Sequence, residues 1–292
     1  MAGTDRRVTL KSRVQIEKMA VAGELVAQVL DRLATEVKPG VTTAALDALA
    51  EEMIRGAGAV PSFIDVPGRL APYRHTLCVS IDDEIVHGVP GPRRIRDGQI
   101  VSVDAGAIVD GWHGDAARTF IVGDVPEQTR RLVETTQRAL YAGIAAASVG
   151  NYLTDISGAV EDIGRAAGYG IIRAFVGHGI GTEMHEEPQV TNYRTGSRGR
   201  RIEPGLCLAI EPMFTLGGHE VRIRNDGWTV ITADGSLAAH WENTIAVTAD
   251  GPRILTSSPA SEAVAATAGA TTGATASATT AAAASAEALP AR

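Results

Sequence analysis

The chain has 292 residues, of which 45% are hydrophobic and 21% charged, as is usual for a globular protein of one or two domains. Its net charge of -7 argues against a general nucleic-acid binder, because such proteins present a basic face. The start, MAGTDRRVTLKSR, lacks the apolar core of a signal peptide, and no apolar run is long enough to cross a membrane. We therefore expect a cytoplasmic protein in which Cys78 and Cys207 are buried free thiols.

Apolar periodicity predicts helices that begin at Ser12, Thr43, Pro126 and Thr154 and end near Lys38, Arg55, Ala147 and Ala167. Gln15 completes a capping box with Ser12, and Gly168 follows the last helix as a stop signal. Residues 1–11 form a short N-terminal lead to the first helix.

Apolar, β-branched runs between the helices predict strands. They lie at Thr76–Ile81, Ile100–Val109, Arg118–Val122, Ile171–Val176, Leu206–Ile210, Thr229–Thr232 and Trp241–Val247. Residues 256–292 are nearly all Ala, Thr, Ser and Gly, and they cannot bury enough apolar surface to offset the entropy of ordering. We expect one folded domain over residues 12–255, followed by a disordered tail.

Two stretches of the sequence repeat. The run PGVTTAALDALAEEMIRGAG from Pro39 aligns without gaps with VGNYLTDISGAVEDIGRAAG from Val149. Further on, DGQIVSVD aligns with PGLCLAIE, which sets Asp104 opposite Glu211. Chance similarity between helical hairpins is the alternative, but the paired acids favour duplication. The pattern predicts an α/β (α+β) protein of two similar halves, related by a pseudo-two-fold axis with the acids at its centre.

Several potential metal ligands occur beside strand-like runs, at Asp104, Asp115, His178, Glu211 and Glu242. An acid at the end of a buried strand is costly unless it is paired or bound to a cation. Four carboxylates and one imidazole suit Mn²⁺, Fe²⁺, Co²⁺ or Zn²⁺, and they could supply bridging oxygens for two ions.

The individual ligands each have a simpler interpretation. Asp104 and Asp115 flank a predicted hairpin turn at Val109-Asp110-Gly111 and are nearly equidistant from it, within one bulge, so we expect them to face each other. Alone, either could be a solvated strand-end acid. His178 alone could be an ordinary hydrogen-bonded histidine, and Glu242 alone could be a carboxylate at the rim.

The other histidines divide into three groups. His87, in IVHGVP, and His185, in MHEEPQ, are candidates for proton transfer or for donating a hydrogen bond to a developing oxyanion. His113 is expected to be structural. The rest, His75, His219 and His240, lack supporting context and are expected to be surface histidines.

Six ordered segments together resemble the type I methionine aminopeptidases: EIVHGVP, VSVDAGAIVDGWHGDAARTF, GHGIGTEMHEEPQ, EPMF, DGWTV and ENTIAVT. The resemblance covers about residues 12–255. It implies the pita-bread fold shared with aminopeptidase P, prolidase and creatinase, with duplicated halves and a central antiparallel sheet. The implied activity is removal of the initiator methionine from nascent proteins whose second residue is small.

The resemblance also assigns the ligands to two divalent ions (Co, Mn, Fe or Zn). Asp115 and Glu242 would bridge them, Asp104 would complete the shell of one ion, and His178 with Glu211 that of the other. A water activated by the ions is the implied nucleophile.

Roles in the reaction follow from the same resemblance. Glu211 would shuttle a proton, His185 would contact the scissile carbonyl, and His87 would hydrogen-bond the scissile amide or the intermediate. Tyr73, Met184 and Trp228 would join the two histidines in binding substrate.

The sequence departs from the family pattern around the substrate pocket. A longer run, IDVPGRLAPYRHTL, separates Phe63 from Cys78, Asp82 replaces a familiar Asn, and Met184 replaces a frequent aromatic residue. These changes leave the ligands intact and alter the shape expected for the pocket. A methionine can still line a thioether pocket.

Two other functions compete with this interpretation. One is an X-Pro aminopeptidase or prolidase-like enzyme of the same fold, and the other is a peptide-binding paralogue without activity. The expected partners are the N-terminal peptides of nascent proteins, with ribosome association possible in that role. The expected protein is a monomer that binds neither nucleic acid nor a membrane.

Overall fold

The computed structural model of the protein describes residues 8–258. The helices in that range are α1 (Arg13–Ala34), α2 (Thr43–Gly56), α3 (Glu127–Ala146) and α4 (Leu153–Ala167). The predicted capping box is confirmed, because Ser12 Oγ accepts from Gln15 N and Gln15 Oε1 accepts from Ser12 N. Gly168 ends α4 in the left-handed conformation, with φ of 75°.

Short strands connect the helices and form four sheets of three to five strands. They are β1 (Val60–Pro61), β2 (Leu77–Ile81), β3 (Glu84–Val86), β4 (Ile100–Val109), β5 (Trp112–Ile121), β6 (Gly170–Ile171), β7 (Gly177–Gly179), β8 (Glu186–Val190), β9 (Cys207–Ile210), β10 (Met213–Thr215), β11 (Val221–Ile223), β12 (Val230–Thr232), β13 (Ala238–His240), β14 (Asn243–Thr248) and β15 (Gly251–Ile254).

Two predicted strands differ from the observed strands by more than two residues at one end, and the other five differ by at most two. The strand predicted at 118–122 is the second half of the longer β5. The strand predicted at 171–176 is wrong beyond Ile171, because the chain bends at Ala174 and Phe175 and lines a cavity instead of pairing. The apolar side chains of this run cover the cavity wall, which gives the same sequence pattern as a buried strand.

The repeat is visible in matching backbone hydrogen bonds. Gly40 N donates to Ile95 O at 2.8 Å in the first half, and its counterpart Gly150 N donates to Ile202 O at 3.0 Å in the second. Both glycines have a positive φ, of 90° and 95°. The predicted duplication is therefore present in the backbone geometry.

The correspondence extends to the last strand of each half. Gly98 N donates to Val122 O at 2.8 Å, and its counterpart Gly205 N donates to Val247 O at 2.9 Å. The hairpin of β4 and β5 thus corresponds to the antiparallel pair of β9 and β14.

The two halves meet where β5 approaches β14. Ala117 N donates to Glu242 O at 3.3 Å, and Glu242 N donates to Ala117 O at 2.9 Å. These reciprocal bonds join the central strands of the two halves, so acids carried by either half lie near the same point.

Helices cover the outer faces of this central layer. The α1 and α2 helices pack against β2, β4 and β5 in one apolar cluster, and α3 and α4 pack against β9 and β14 in others. Cys78 and Cys207 are buried and free, as predicted. No helix within residues 8–258 has the length and apolarity of a membrane-spanning segment.

The ends of the described range bear on the predicted boundaries. Lys11, in the predicted lead, is buried, and its ammonium group contacts the Glu186 carboxylate at 2.5 Å. The predicted disordered tail lies outside the described residues, apart from residues 256–258.

Candidate active site

Asp104 and Asp115 lie on the hairpin of β4 and β5. The turn residues Asp110 and Gly111 both have positive φ, which suits the twist of a two-residue hairpin. The register runs without a bulge, with Asp104 opposite Ala117, so the prediction that the acids face each other within one bulge is wrong. They are diagonal neighbours on one face of the hairpin, close enough for their carboxylates to interact.

The second half of the chain supplies the remaining predicted ligands. Glu211 follows β9, His178 lies on β7 opposite Ala209 of β9, and Glu242 precedes β14. His178 Nε2 lies 3.8 Å from an Asp115 carboxylate oxygen and 3.8 Å from a Glu211 oxygen. The five predicted ligands therefore converge from both halves.

All the predicted site residues line one cavity of about 130 Å³. Its walls are Phe63, Val66, Tyr73, Cys78, His87, Asp104, Asp115, His178, Met184, His185, Glu211, Trp228 and Glu242. A wider cavity of about 360 Å³ adjoins it and shares His87, His178, His185 and Glu211.

Burial strongly perturbs the four carboxyl groups. Loss of solvation raises the pKa of Asp104 to about 7 and that of Glu211 to about 8. Burial, followed by repulsion from neighbouring carboxylates, raises the pKa of Asp115 and Glu242 well above the usual range. A cation in their midst would reverse these shifts, because it stabilises the ionised forms.

The donor atoms fit a divalent cation. Asp104 Oδ1, Asp115 Oδ1 and Glu242 Oε1 are buried without a hydrogen-bond partner among the described residues. Potential ligand atoms of Asp115, His178 and Glu242 all lie within 4.8 Å of one another. Buried, unpartnered carboxylate oxygens at this spacing are the donors that a hard divalent ion requires.

The imidazole of His178 is also oriented to bind a cation. Its Nδ1 lies 2.8 Å from Gly179 O, and a carbonyl only accepts, so Nδ1 carries the proton. The lone pair is then on Nε2, which faces Asp115 and Glu211. Burial lowers the pKa of His178 to about 3, so the ring is neutral and able to bind a metal.

The two other predicted histidines border the carboxylates. His185 is exposed, and its ring centroid lies 4.5 Å from that of His178. His87 has a φ of 59°, rare for a residue with a side chain, and its ring packs edge-on against Phe175. Burial lowers the pKa of His87 to about 4, so it is a neutral hydrogen-bonding group at neutral pH.

An apolar pocket lies against the carboxylates. It is formed by Phe63, Tyr73, Cys78 and Met184, with Trp228 packed beside them. Tyr73 donates its hydroxyl proton to Leu77 O at 2.8 Å, and burial raises the pKa of both Tyr73 and Cys78. The pocket is therefore uncharged at neutral pH and suits a slender apolar side chain.

Comparison with known proteins identifies the family. Residues 17–249 match the model of metallopeptidase family M24. The chain belongs to this family. Its M24 relatives include the methionine aminopeptidase of Clostridium acetobutylicum, 45% identical over 85% of this chain and 98% of that protein. Methionine aminopeptidase 1 of Mycobacterium tuberculosis is 46% identical, over 86% of this chain and 96% of that one.

Solved structures of M24 enzymes share the fold of this chain. The methionine aminopeptidase of Rickettsia prowazekii superposes with a TM-score of 0.83 at 35% identity, covering 86% of this chain and all of that one. The predicted pita-bread fold is thereby confirmed. The Pyrococcus furiosus prolidase shares only the fold, with a TM-score of 0.68 at 22% identity over 85% of this chain and 65% of that one.

The structure contradicts a second prediction in this M24 site. His240 was expected at the surface, but it is 2% exposed and its Nε2 lies 3.6 Å from a Glu211 carboxylate oxygen. The alternation of side chains along a strand indicates the buried position of His240. His240 and Glu242 are two residues apart, and alternate residues of a strand share a face.

The other three histidines lie close to where the sequence predicts them, either buried in a structural role or near the surface. His113 is buried and bonded to Ser62 Oγ at 3.0 Å, in keeping with a structural role. His219 is on the surface. His75 is half-buried, with Nδ1 3.2 Å from an Asp47 carboxylate oxygen.

Proposed function

We propose that this chain is a metal-dependent methionine aminopeptidase that removes the N-terminal methionine of nascent proteins when the second residue is small. The observation that carries the proposal is a buried cluster of carboxylates and imidazoles directly beside an uncharged apolar pocket. The family relatives named above support it, because they are methionine aminopeptidases and this chain aligns with nearly their whole length.

The ligands proposed for two divalent ions are Asp104, Asp115, His178, Glu211 and Glu242. Support for four of these ligands comes from two groups of donor atoms within 4.8 Å, one of Asp115, His178 and Glu242 and the other of Glu211, Glu242 and His240. The groups share Glu242 and could therefore serve adjacent ions. Cobalt, manganese, iron and zinc all suit this mixed oxygen and nitrogen set. When bound, such ions polarise a carbonyl and lower the pKa of water from ~16 to ~7.

The side chains around the carboxylates would act on the peptide. Glu211 would take a proton from the attacking water and deliver it to the leaving amine, a role open to a carboxylate that a bound cation keeps ionised. His185, at the exposed side, would donate a hydrogen bond to the scissile carbonyl as negative charge develops there. Neutral His87 would hydrogen-bond the scissile amide.

The apolar pocket would select the first residue. Tyr73, Met184 and Trp228, together with Phe63 and Cys78, would surround a methionine side chain, and Met184 can adapt to its thioether. The free amino terminus would lie among the buried carboxylates, so that only the first residue is removed.

Cellular context belongs to the same proposal. The role implies N-terminal peptides of new proteins as substrates, a cytoplasmic location, possible association with the ribosome, and action as a monomer. The net charge of -7 supports the absence of a general nucleic-acid-binding function.

The X-Pro peptidase alternative rests on fold alone. The X-Pro dipeptidase and prolidase structures are at most 23% identical to this chain, which spans less than two thirds of their length. A non-catalytic paralogue is disfavoured, because the chain retains the whole predicted ligand set and both histidines.

A peptide panel tests the proposed specificity. Metal-loaded enzyme would be incubated with Met-Ala-Ser, Met-Gly-Met-Met, Leu-Ala-Ser and Ala-Pro-Ala, and the products identified by mass spectrometry. The proposal expects release of the first residue from the two methionine peptides only. Cleavage of Ala-Pro-Ala in preference would transfer the enzyme to the X-Pro group, and cleavage of none would favour the binding role.

A further inference from the structure

His240 is not among the predicted ligands, yet its imidazole lies beside the carboxylates of two of them, Glu211 and Glu242. Its side chain is 2% exposed, and its Nε2 has no hydrogen-bond partner among the described residues. Nε2 lies 3.6 Å from Glu211 Oε2 and 3.9 Å from Glu242 Oε2, too far for hydrogen bonds. A buried nitrogen left unpartnered between two carboxylates is costly unless something binds it.

The pseudo-two-fold axis relates His240 to Asp115. Thr244 Oγ1 accepts from Asp115 N at 3.0 Å and donates to Asp115 O at 2.8 Å. Thr119 Oγ1 accepts from His240 N at 3.0 Å and donates to His240 O at 2.7 Å. The same bridge by a threonine hydroxyl thus occurs twice, once from each half to the other.

The strand register gives the same correspondence. The reciprocal bonds between Ala117 and Glu242 make these residues counterparts on the axis, and each lies two residues beyond Asp115 or His240. His240 therefore holds the position in the second half that the proposed ligand Asp115 holds in the first. The backbone at both positions is held by buried hydrogen bonds, so both side chains enter the site from fixed points.

The spacing of the donor atoms suits a metal ion. Ligand atoms of Glu211, His240 and Glu242 all lie within 4.8 Å of one another, as do those of Asp115, His178 and Glu242. Each trio contains one imidazole and two carboxylates, and they share Glu242. We infer that His240, through Nε2, is a sixth metal-binding residue of the centre, acting with Glu211 and Glu242. The inference rests on the proposed metal centre.

A loss of metal affinity on replacing His240 would not by itself test this inference. An outer partner that only positioned Glu211 would also lower metal affinity on removal, by roughly 10–100-fold. The decisive property is a bond between the ring nitrogen and the ion. Magnetic resonance detects it as a scalar coupling between a cadmium nucleus and a nitrogen-labelled imidazole.

The experiment uses the full chain with labelled histidine, loaded with magnetically active Cd²⁺. The wild type and a His240→Gln variant would be compared, with assignments from His178→Gln. His113→Gln serves as a matched control, because that histidine is also buried but bonds to Ser62. His219→Gln removes any signal from adventitious binding at the surface.

Each outcome decides the question. We expect coupled nitrogens from His178 and His240 in the wild type and in both controls, and loss of only the His240 coupling in His240→Gln. Coupling at His178 alone would overturn the inference and leave the proposed function intact. The absence of coupling at both histidines would overturn the metal centre itself. The wild-type spectrum answers the question even if a variant fails to fold.

Discussion

Replacing Thr244 with valine tests the hydrogen bonds that join the two halves at the site. Thr244 is fully buried, and its hydroxyl serves both the N–H and the C=O of Asp115. Valine has nearly the same shape but can neither donate nor accept. Asp115 is itself 3% exposed, so water cannot readily replace the lost partner.

The magnitude follows from the two groups left unsatisfied. Each buried backbone group without a partner costs about 1–3 kcal/mol, so Thr244→Val is expected to lower the free energy of unfolding by about 2–6 kcal/mol. Because Asp115 loses its anchor, the variant should also bind divalent ions more weakly than the wild type.

Urea unfolding of the metal-free protein measures the loss, and the same titration with Zn²⁺ measures the coupling to the metal centre. Thr136→Val is the matched control, since Thr136 is fully buried in α3 and its hydroxyl only donates to Leu132 O, which a helical N–H also serves. The control should lose about 1 kcal/mol or less. Equal losses in the two variants would refute the reasoning.

Three further predictions concern the chemistry. Glu211→Gln should abolish peptide turnover while circular dichroism shows the fold retained, because it removes a ligand charge and the proton carrier; most of the wild-type rate surviving would exclude that role. His185→Ala should lower kcat far more than it lowers bound metal measured by elemental analysis, and rescue by excess ion would contradict a contact with the transition state. The raised pKa values of Asp104 and Glu211, about 7 and 8, mean that the folded metal-free protein binds more protons than the unfolded chain. Its melting temperature should therefore fall as pH rises from about 5 to 8. The increase in melting temperature that added Mn²⁺ produces should grow over the same range. A metal-free protein that became more stable as pH rose would contradict the burial of these acids.

Much of the architecture follows from local sequence signals. The capping box at Ser12, the glycine stop at Gly168 and the apolar periodicity between them specify the helices closely. The repeat specified the pseudo-two-fold relation, because paired glycines with positive φ and paired acids recur at matching positions. The ligand set came from a family resemblance supported by these patterns.

Other features depend on tertiary contacts that no local pattern reports. The bend at Ala174 and Phe175 replaces a predicted strand because the apolar side chains there cover a cavity. The burial of His240 is one such feature, because it depends on the pairing of β13 with β10, in which His240 lies opposite Met213 and its ring approaches Glu211. The repeat itself makes His240 the counterpart of Asp115.

The central claim is that bound metal is required for removal of the first methionine. The most direct test is to strip the purified full chain of metal and add back Mn²⁺, Co²⁺, Fe²⁺ or Zn²⁺ in increments. Bound ion and the rate of methionine release from Met-Ala-Ser would be measured in the same samples. The account predicts no release without metal and a rate that rises with bound ion until the centre is filled. A metal-free sample that cleaves Met-Ala-Ser at the full rate, or a filled centre that releases no methionine, would contradict it.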